Sequence, residues 1–236
     1  MGLSIIQGII VLFLYALGAF VVGVALAPGI LLFLKILNAT MLWAAGARAL
    51  ALGLTIAGGF FIFGLTLLFL VGFLNIVLNL RLKEGQYSFK DAEMFKWFFL
   101  NALVQGVKAF FMDFMLLTPF ANLFYRMMGA QLGLNVQINS KNVADLSLLE
   151  IGNNSVIGGN ATVIGHIFER KGLKLKKIKI GSNVVIGLNA VIMPGCEIGD
   201  GAVIGAGAVL LKDTKVEARD VWFGIPAKSL RHDKQE

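Results

Sequence analysis

A branched aliphatic residue returns at every sixth position through the second half of the chain, and this repeat constrains the fold more than any other feature. Small residues occupy most of the fourth positions after it. A period of six is typical of a parallel β-helix, in which short flat strands form the three sides of a prism and glycine or asparagine turns the corners. We therefore expect the aliphatic residues to point inward and the small residues to lie beside this inward stack. They are Ile180, Ile186, Ile192, Ile198, Ile204 and Leu210, with Val184, Ala190, Cys196, Ala202 and Ala208.

The same phase extends backward to Ile151, Ile157 and Val163, and Val136 and Ile138 are expected to begin the first coil. Val163 and Ile180 lie 17 positions apart, one fewer than three repeats, and the sequence between them has no period of six. A loop should therefore leave the prism there. Since a short prism cannot bury its own outer faces, we also expect self-association around a threefold axis, giving a homotrimer.

The first third of the chain has the composition of a membrane anchor. Lys35 and Arg48 are the only charged residues in positions 1–80, and 57% of the whole chain is hydrophobic. We predict a transmembrane region over 1–86 with spans at about 4–27 and 50–80, the first of them ending at Pro28-Gly29. Residues 30–48 are expected to form an interfacial or re-entrant connection, with a continuation of the first helix as the alternative.

Five glycines in the second span are predicted to let helices approach closely, because small residues favour helix packing in membranes. They are Gly53, Gly58, Gly59, Gly64 and Gly72.

Residues 87–133 are predicted to form amphipathic interfacial helices. The Ser88–Asp91 pattern is that of a capping box, and aromatic and small apolar residues then recur at spacings of three and four until Thr118-Pro119 ends the helix. Trp97 suits the headgroup level of a bilayer. A third transmembrane span over 91–112 is the alternative.

Basic residues are denser after the second span than between the spans, which places this side in the cytoplasm, most simply at a bacterial inner membrane. They are Arg81, Lys83, Lys90, Lys96 and Lys108. The net charge of +7 is assigned to lipid phosphate and anionic substrates, because no basic motif with interleaved aromatic residues indicates nucleic acid. One cysteine and two histidines do not make a zinc site, so no metal is expected. Cys196 is expected to be a packing residue.

His166 is the candidate general base. It follows the Val163 strand at the mouth of the predicted loop, where a neutral imidazole can accept a proton, although a lone histidine is usually structural. Glu169, three residues on, is either the partner of the second ring nitrogen or a solvated loop charge. His232 lies in the charged tail and is expected to be a solvated bystander.

Three segments carry a family resemblance: IGNNSVIGGNATVIGHIFERK, then KIKIGSNVVIGLNAVIMPGCEIGDGAVIGAGAVLLKD, then WFGIPAKSLR. Together they resemble the hexapeptide-repeat acyltransferases of the maltose, galactoside and xenobiotic acetyltransferase branch, over residues 136–231. The piece from NLFYRMMGAQLG to HIFE is also similar to the C-terminal membrane region of peptide-synthetase-like proteins, such as the poly-lysine synthetases.

This resemblance implies a left-handed parallel β-helix domain over 134–236, a homotrimer, and acyl-CoA bound in the cleft between neighbouring prisms. It implies that His166 is catalytic and makes Asp145 a candidate for binding the acceptor. The residues implied for the pantetheine arm are Gly205, Ala206, Gly207, Gly224, Pro226 and Ala227, and those implied for phosphates are Lys212, Lys228 and Arg231.

The favoured hypothesis is a membrane-anchored acyltransferase that uses acyl-CoA and a hydroxyl or amine acceptor at the lipid bilayer. One alternative donor is an acyl or aminoacyl thioester on a carrier protein, which would then be a partner. The alternative from another class is a noncatalytic trimeric scaffold. The interrupted repeat favours the enzyme, because a purely structural prism gains nothing from a loop bearing a histidine.

Overall fold

The computed structural model describes residues 2–230. The chain forms two compact units, a helical unit of Met1–Leu74 and Ala102–Phe111 and a second unit of Asn75–Asn101 and Met112–Glu236. Arg231 and His232, both considered above, lie outside the described residues.

The helical elements are α1 (Gly2–Ala39), α2 (Ala45–Val77), α3 (Ala92–Val107) with a π-helical turn (Lys108–Met112), α4 (Asp113–Met115) and α5 (Pro119–Met127). Within residues 2–230, three stretches are long and apolar enough to cross a membrane: Val11–Ala39, Ala45–Val77 and Ala92–Met115. The third coincides with the span that the sequence analysis kept as an alternative.

Helix α1 does not end at Pro28-Gly29, so that prediction is wrong. Pro28 lies inside the helix, which continues to Ala39. The alternative of a continued first helix is therefore the correct one for residues 30–39. A proline removes only one helical donor, whereas leaving the helix among apolar residues would strip several backbone groups of their partners.

Two of the glycines in α2 have the predicted packing role. A Cβ on Gly64 would overlap the ring of Phe111, and a Cβ on Gly29 of α1 would lie 3.2 Å from the carbonyl oxygen of Gly59. A Cβ on Gly53 or on Gly58 would meet nothing within 4 Å, so close packing does not explain these two glycines.

The helices between the second span and the prism begin where predicted. The carboxylate of Asp91 accepts a hydrogen bond from the Ser88 N–H at 2.6 Å, which is one half of a capping box, and α3 follows. Helix α5 starts with Pro119 in its first turn, directly after Thr118.

The prism has three faces of parallel strands. The valine face contains β3 (Gln137–Ile138), β5 (Val156–Ile157), β10 (Val185–Ile186), β13 (Val203–Ile204) and β16 (Val221–Gly224). The short face contains β6 (Thr162–Val163), β11 (Val191–Ile192) and β14 (Val209–Leu210). The charged face contains β2 (Gln131–Leu132), β4 (Leu149–Ile151), β9 (Ile178–Ile180), β12 (Glu197–Ile198) and β15 (Lys215–Val216). Because β2 already pairs with β4, the prism begins a few residues before Val136, the predicted start.

The interior agrees with the predicted phase. All six aliphatic repeat residues are at most 4% exposed, and the five small residues beside them are fully buried. Asparagines turn several corners in the left-handed region, including Asn154, Asn160, Asn183 and Asn189.

The register shows where the repeat is regular and where it is not. Pairing of Ile186 with Ile204 and of Ile192 with Leu210 gives 18 residues per turn. Pairing of Ile157 with Ile186 gives 29, so 11 extra residues leave the prism in this turn. The first turn is also irregular, because Val143 bridges to Val163 across 20 residues.

The extra residues form an antiparallel hairpin rather than an unstructured loop. Strand β7 (His166–Glu169) pairs with β8 (Gly172–Leu175), and β1 (Gly85–Tyr87) adds to the other edge of β8. Leu173 and Leu175 are fully buried. A last hairpin joins β16 to β17 (Ala227–Ser229) at the end of the described chain.

Candidate active site

His166 is the first residue of β7, at the corner where the chain leaves the short face. The residue before it is held on both sides: the Gly165 carbonyl accepts a hydrogen bond from the Lys176 N–H at 2.8 Å, and the Gly165 N–H donates to the Asp145 carboxylate at 3.0 Å. The imidazole is 23% exposed. This corner therefore presents a fixed, partly solvated histidine.

Asp145 holds the histidine. Its Oδ2 lies 2.5 Å from Nδ1 of His166, and its side chain is fully buried. The residue adopts a left-handed backbone conformation, with φ of 53°, before the single 3₁₀ turn Leu146–Leu148. The irregular first coil therefore turns this carboxylate toward the corner.

The contact fixes the tautomer of the imidazole. A carboxylate oxygen only accepts hydrogen bonds, so Nδ1 carries the proton and Nε2 keeps the lone pair that can take a proton from a substrate. The arrangement is that of a general base with an orienting acid, in which the acid stabilises the imidazolium that forms.

The third contact of Asp145 comes from Trp97 in α3. The indole Nε1–H donates to Oδ1 at 2.8 Å, so both carboxylate oxygens are satisfied. The indole ring also packs edge-to-face on the imidazole, with ring centroids 4.9 Å apart. The sequence analysis assigned Trp97 to a membrane headgroup region and missed this role, because nothing in the spacing of α3 relates it to a residue 48 positions later.

Aromatic side chains extend the site away from the histidine. Phe168 lies 5.4 Å from Trp97 and 6.5 Å from His166 between ring centroids, and Phe89 stacks on Phe168 at 6.3 Å. Phe168 and Phe89 are 45% and 61% exposed. An open aromatic surface therefore adjoins the base.

Glu169 does not orient His166, so that alternative for its role is wrong. Its carboxylate pairs with Lys212 instead, and this hydrogen bond is the main cause that lowers the pKa of Glu169 and raises the pKa of Lys212. Alternation along β7 separates the two residues, since three positions on a strand put side chains on opposite sides. The orienting role belongs to Asp145.

The expectation that Asp145 binds the acceptor is corrected by the same geometry. Its side chain has no exposed surface, and Trp97, Gly165 and His166 occupy its two oxygens. A substrate hydroxyl or amine has no access to a carboxylate so enclosed.

The residues that the resemblance implies for a cofactor lie at two different corners. Gly205, Ala206 and Gly207 turn from the valine face to the short face, and the Gly205 N–H donates to the Trp222 carbonyl at 2.7 Å. The turn of Gly224, Pro226 and Ala227 joins β16 to β17 beside them. A Cβ on Gly207, which has φ of 69°, would meet nothing within 4 Å, so this corner is open.

Lys212 stands at the other corner, the one that bears His166. It follows β14, which stacks on β11 and β6, whereas Lys228 lies exposed on β17. One chain therefore keeps the glycine corner and the histidine corner apart, on opposite edges of the short face.

Cys196 is a packing residue, as predicted. It is fully buried beside the inward stack, and burial raises the pKa of its thiol to about 11. Among residues 2–230, no group of three histidine, cysteine or acidic side chains is placed to hold a metal ion.

Comparison with known proteins agrees with the repeat. The family described as bacterial transferase hexapeptide (six repeats) matches residues 177–212. Delta-poly-L-ornithine synthetase of Acinetobacter baumannii is 24% identical over 170 residues, covering 68% of this chain and 13% of that protein. YvoF of Bacillus subtilis, which is named as an acetyltransferase, is 42% identical over 65 residues, covering 28% of this chain and 38% of that protein.

Among solved structures, a hexapeptide-repeat acetyltransferase of Vibrio cholerae in complex with acetyl coenzyme A has a TM-score of 0.46 and 21% identity, covering 65% of this chain and 96% of that one. The chain spans well under half the length of the two curated relatives named above. The resemblance predicted from the motifs is confirmed: residues 177–212 match the hexapeptide transferase family, and the similarity to a poly-ornithine synthetase fits the peptide-synthetase-like comparison.

Proposed function

We propose that this chain is a membrane-anchored acyltransferase that moves an acyl group, acetyl or longer, from acyl-CoA to a hydroxyl or amine of a membrane-associated or lipid-linked acceptor. The contact between Asp145 and His166 carries the proposal. Burial of a charged carboxylate is unfavourable unless hydrogen bonds compensate for the lost solvation. Here the fully buried carboxylate of Asp145 contacts the partly exposed imidazole of His166. A scaffold has no use for such an arrangement.

The chemistry needs no covalent enzyme intermediate. Nε2 of His166 takes the proton of the acceptor as its oxygen or nitrogen attacks the thioester carbonyl, and a backbone N–H stabilises the oxyanion. The C–S bond then breaks, the acyl group stays on the acceptor, and the thiolate of coenzyme A leaves with the proton from His166.

A second copy of the chain would complete the site. Within one chain the glycine corner and the histidine corner lie on opposite edges of the short face, whereas packing of prisms side by side brings unlike corners together. The valine face supports such packing, because its outward column includes Val156, Val185, Val203 and Val221. We therefore propose a homotrimer with coenzyme A in the clefts between prisms, held by the glycine corner and the β16–β17 turn, with Lys212, Lys228 and Arg231 proposed to bind its phosphates.

The outer side of the charged face carries charged residues where the valine face carries valines, so we propose that it remains in solvent. Its central column alternates in sign as Glu150, Lys179, Glu197 and Lys215, with Lys179 at 3.2 Å and Lys215 at 3.7 Å from the Glu197 carboxylate. Light scattering should give a trimer mass for the wild type and for Lys215→Ala. Val203→Lys should dissociate the trimer, because it places a charge on the valine face. A monomeric wild type would contradict the proposed packing of prisms.

Two features favour a lipid-linked acceptor. The apolar helices would anchor the chain in a bilayer, and the exposed rings of Phe89 and Phe168 offer an apolar surface next to the base. The basic cluster after Leu80 supports the cytoplasmic side of a bacterial inner membrane, where acyl-CoA is available. Gln86→Cys in a Cys196→Ala background tests this: labelling by an impermeant thiol reagent in intact cells would overturn the orientation.

The direct test uses purified protein in vesicles of a total lipid extract, with acetyl-CoA that carries a radioactive acetyl group. We expect label in the organic phase with wild-type protein and none with His166→Ala. Label confined to the water-soluble fraction would contradict a lipid-linked acceptor, and no label in either fraction would contradict the acyl-CoA reaction.

A carrier-protein thioester is the second candidate donor, and the similarity to a poly-ornithine synthetase over 170 residues favours it. His166 would act in the same way on that thioester. Acetyl-loaded acyl carrier protein, used in place of acetyl-CoA in the same vesicles, distinguishes the two donors.

A further inference from the structure

Trp97 makes two separate contacts with the candidate catalytic pair. Its N–H donates to Oδ1 of Asp145 at 2.8 Å, and its ring lies against the imidazole of His166 at 4.9 Å and an interplanar angle of 64°. The indole is 8% exposed. It reaches the pair from α3, an element that lies outside the prism.

The hydrogen bond restrains the carboxylate. Oδ2 of Asp145 already receives the Gly165 N–H and the imidazole Nδ1–H, whereas Oδ1 receives the indole N–H, so removal of the indole donor would leave Oδ1 as a buried acceptor that has lost its hydrogen bond. A buried acceptor left without a donor is costly, and bonds to a charged oxygen are stronger than neutral ones. Rotation of the carboxylate to find another donor would move Oδ2 away from His166.

The ring contact restrains the imidazole. A histidine held only through Nδ1 can still turn about that hydrogen bond, which would change the direction of Nε2. The edge-to-face packing of Trp97, with ring centroids 4.9 Å apart, limits this rotation.

We propose that Trp97 is a positioning residue for acyl transfer: its N–H fixes the Asp145 carboxylate and its ring fixes the His166 imidazole. The proposal rests on the proposed function of His166 as the base. It makes α3 part of the active site, so the prism by itself would hold an incompletely positioned histidine.

Trp97→Phe is the informative change, because it keeps an aromatic ring and removes the donor. We expect kcat to fall about tenfold, the lower end for loss of an orienting partner, while KM for acetyl-CoA stays within about twofold. Trp43→Phe, which alters an exposed tryptophan between α1 and α2, is the matched control and should behave as wild type. An unchanged kcat in Trp97→Phe would overturn the proposal.

A double-mutant cycle separates positioning from general stability. In an Asp145→Ala background Trp97→Phe should change kcat less than about twofold, because its target is gone. An equal fold-loss in both backgrounds would show a merely structural effect and overturn the proposal. If Asp145→Ala does not fold, the kcat-against-KM split of Trp97→Phe, at an unchanged melting temperature, decides instead.

A readout without catalysis keeps this test independent of the proposed function. The chain has two histidines, so ¹⁵N-histidine labelling gives two pairs of imidazole nitrogen signals, and the pair absent from His166→Ala belongs to His166. In the wild type its Nδ1–H should be protected from exchange with solvent, and in Trp97→Phe it should exchange at least about tenfold faster, in line with the expected tenfold loss in kcat. Equal exchange rates in the wild type and in Trp97→Phe would overturn the role of Trp97. If exchange is faster in Trp97→Phe but the wild type shows no acyl transfer, the positioning role stands and only the proposed function is contradicted.

Discussion

The early turns of the prism and the late turns share one backbone plan and differ in what they carry. From Ile186 to Leu210 the turns hold 18 residues each, and their inward positions carry aliphatic and small side chains. The turns before it hold up to 29, and they supply Asp145, His166 and the hairpin that bears Phe168. The chemistry lies where the repeat is broken.

This difference has a physical basis. A regular turn satisfies its backbone through the neighbouring turns and fills its interior with the inward stack, so from Ile186 to Leu210 the inward positions need no polar partner. The extra residues allow strand β7 to leave the faces of the prism. They allow the left-handed Asp145 and the strand-leading His166 to face each other, at the cost of burying a carboxylate.

Removing the base should give the largest effect on the irregular side. His166→Ala should lower the turnover by about a hundredfold to ten-thousandfold, as expected for loss of a general base, and leave the trimer intact. Release of the coenzyme A thiol from acetyl-CoA measures this, with His232→Ala as the control at the second histidine. Near-normal turnover in His166→Ala would show that the break in the repeat has another purpose.

Neutralising the orienting acid comes next. Asp145→Asn places an amide opposite Nδ1, so the imidazole can no longer be held with its proton there, and kcat should fall about 10- to 100-fold. KM for acetyl-CoA should not change, because the Asp145 side chain is fully buried and closed to the donor. A loss seen only in KM would return Asp145 to a substrate-binding role.

Glu169 should matter less, and in KM rather than kcat. Its bond to Lys212 keeps the pKa of the carboxyl low, so the pair is charged at neutral pH and is lost only when the pH falls through that lowered value. Glu169→Gln should release Lys212 toward phosphate groups and lower KM for acetyl-CoA by about threefold, the scale of an exposed ion pair. A kcat loss as large as that of Asp145→Asn would contradict the geometry.

The regular turns should respond least. Cys196→Ala should keep full activity, and because the pKa of the buried thiol is about 11, only about one thiol in a thousand is ionised at pH 8. Alkylation by iodoacetamide should therefore be slow at pH 8 and accelerate toward pH 11. Rapid labelling at pH 8 with loss of activity would show that the regular turn bearing Cys196 also contributes to catalysis.

The amino-acid sequence by itself determined the prism, its inward residues, the break after Val163 and the histidine at the break, because a period of six and its interruption are local properties. The inward phase from Ile180 to Leu210 and the buried Cys196 followed from it directly. The spans of α1 and α2 were also visible in composition, although the sequence alone placed the end of α1 eleven residues too early, at Pro28, and kept the third apolar stretch only as an alternative.

Only the tertiary structure decided what surrounds the histidine. The carboxylate of Asp145, in the first coil, accepts hydrogen bonds from Trp97 of α3 and from Gly165 just before the hairpin. These elements lie far apart in the chain. Sequence proximity favoured Glu169 as the partner of His166. Because side chains alternate along a strand, Glu169 lies on the other side of β7 and pairs with Lys212. A single carboxylate accepts donors from any direction that the fold brings near, and such convergence leaves no periodic signal in the sequence.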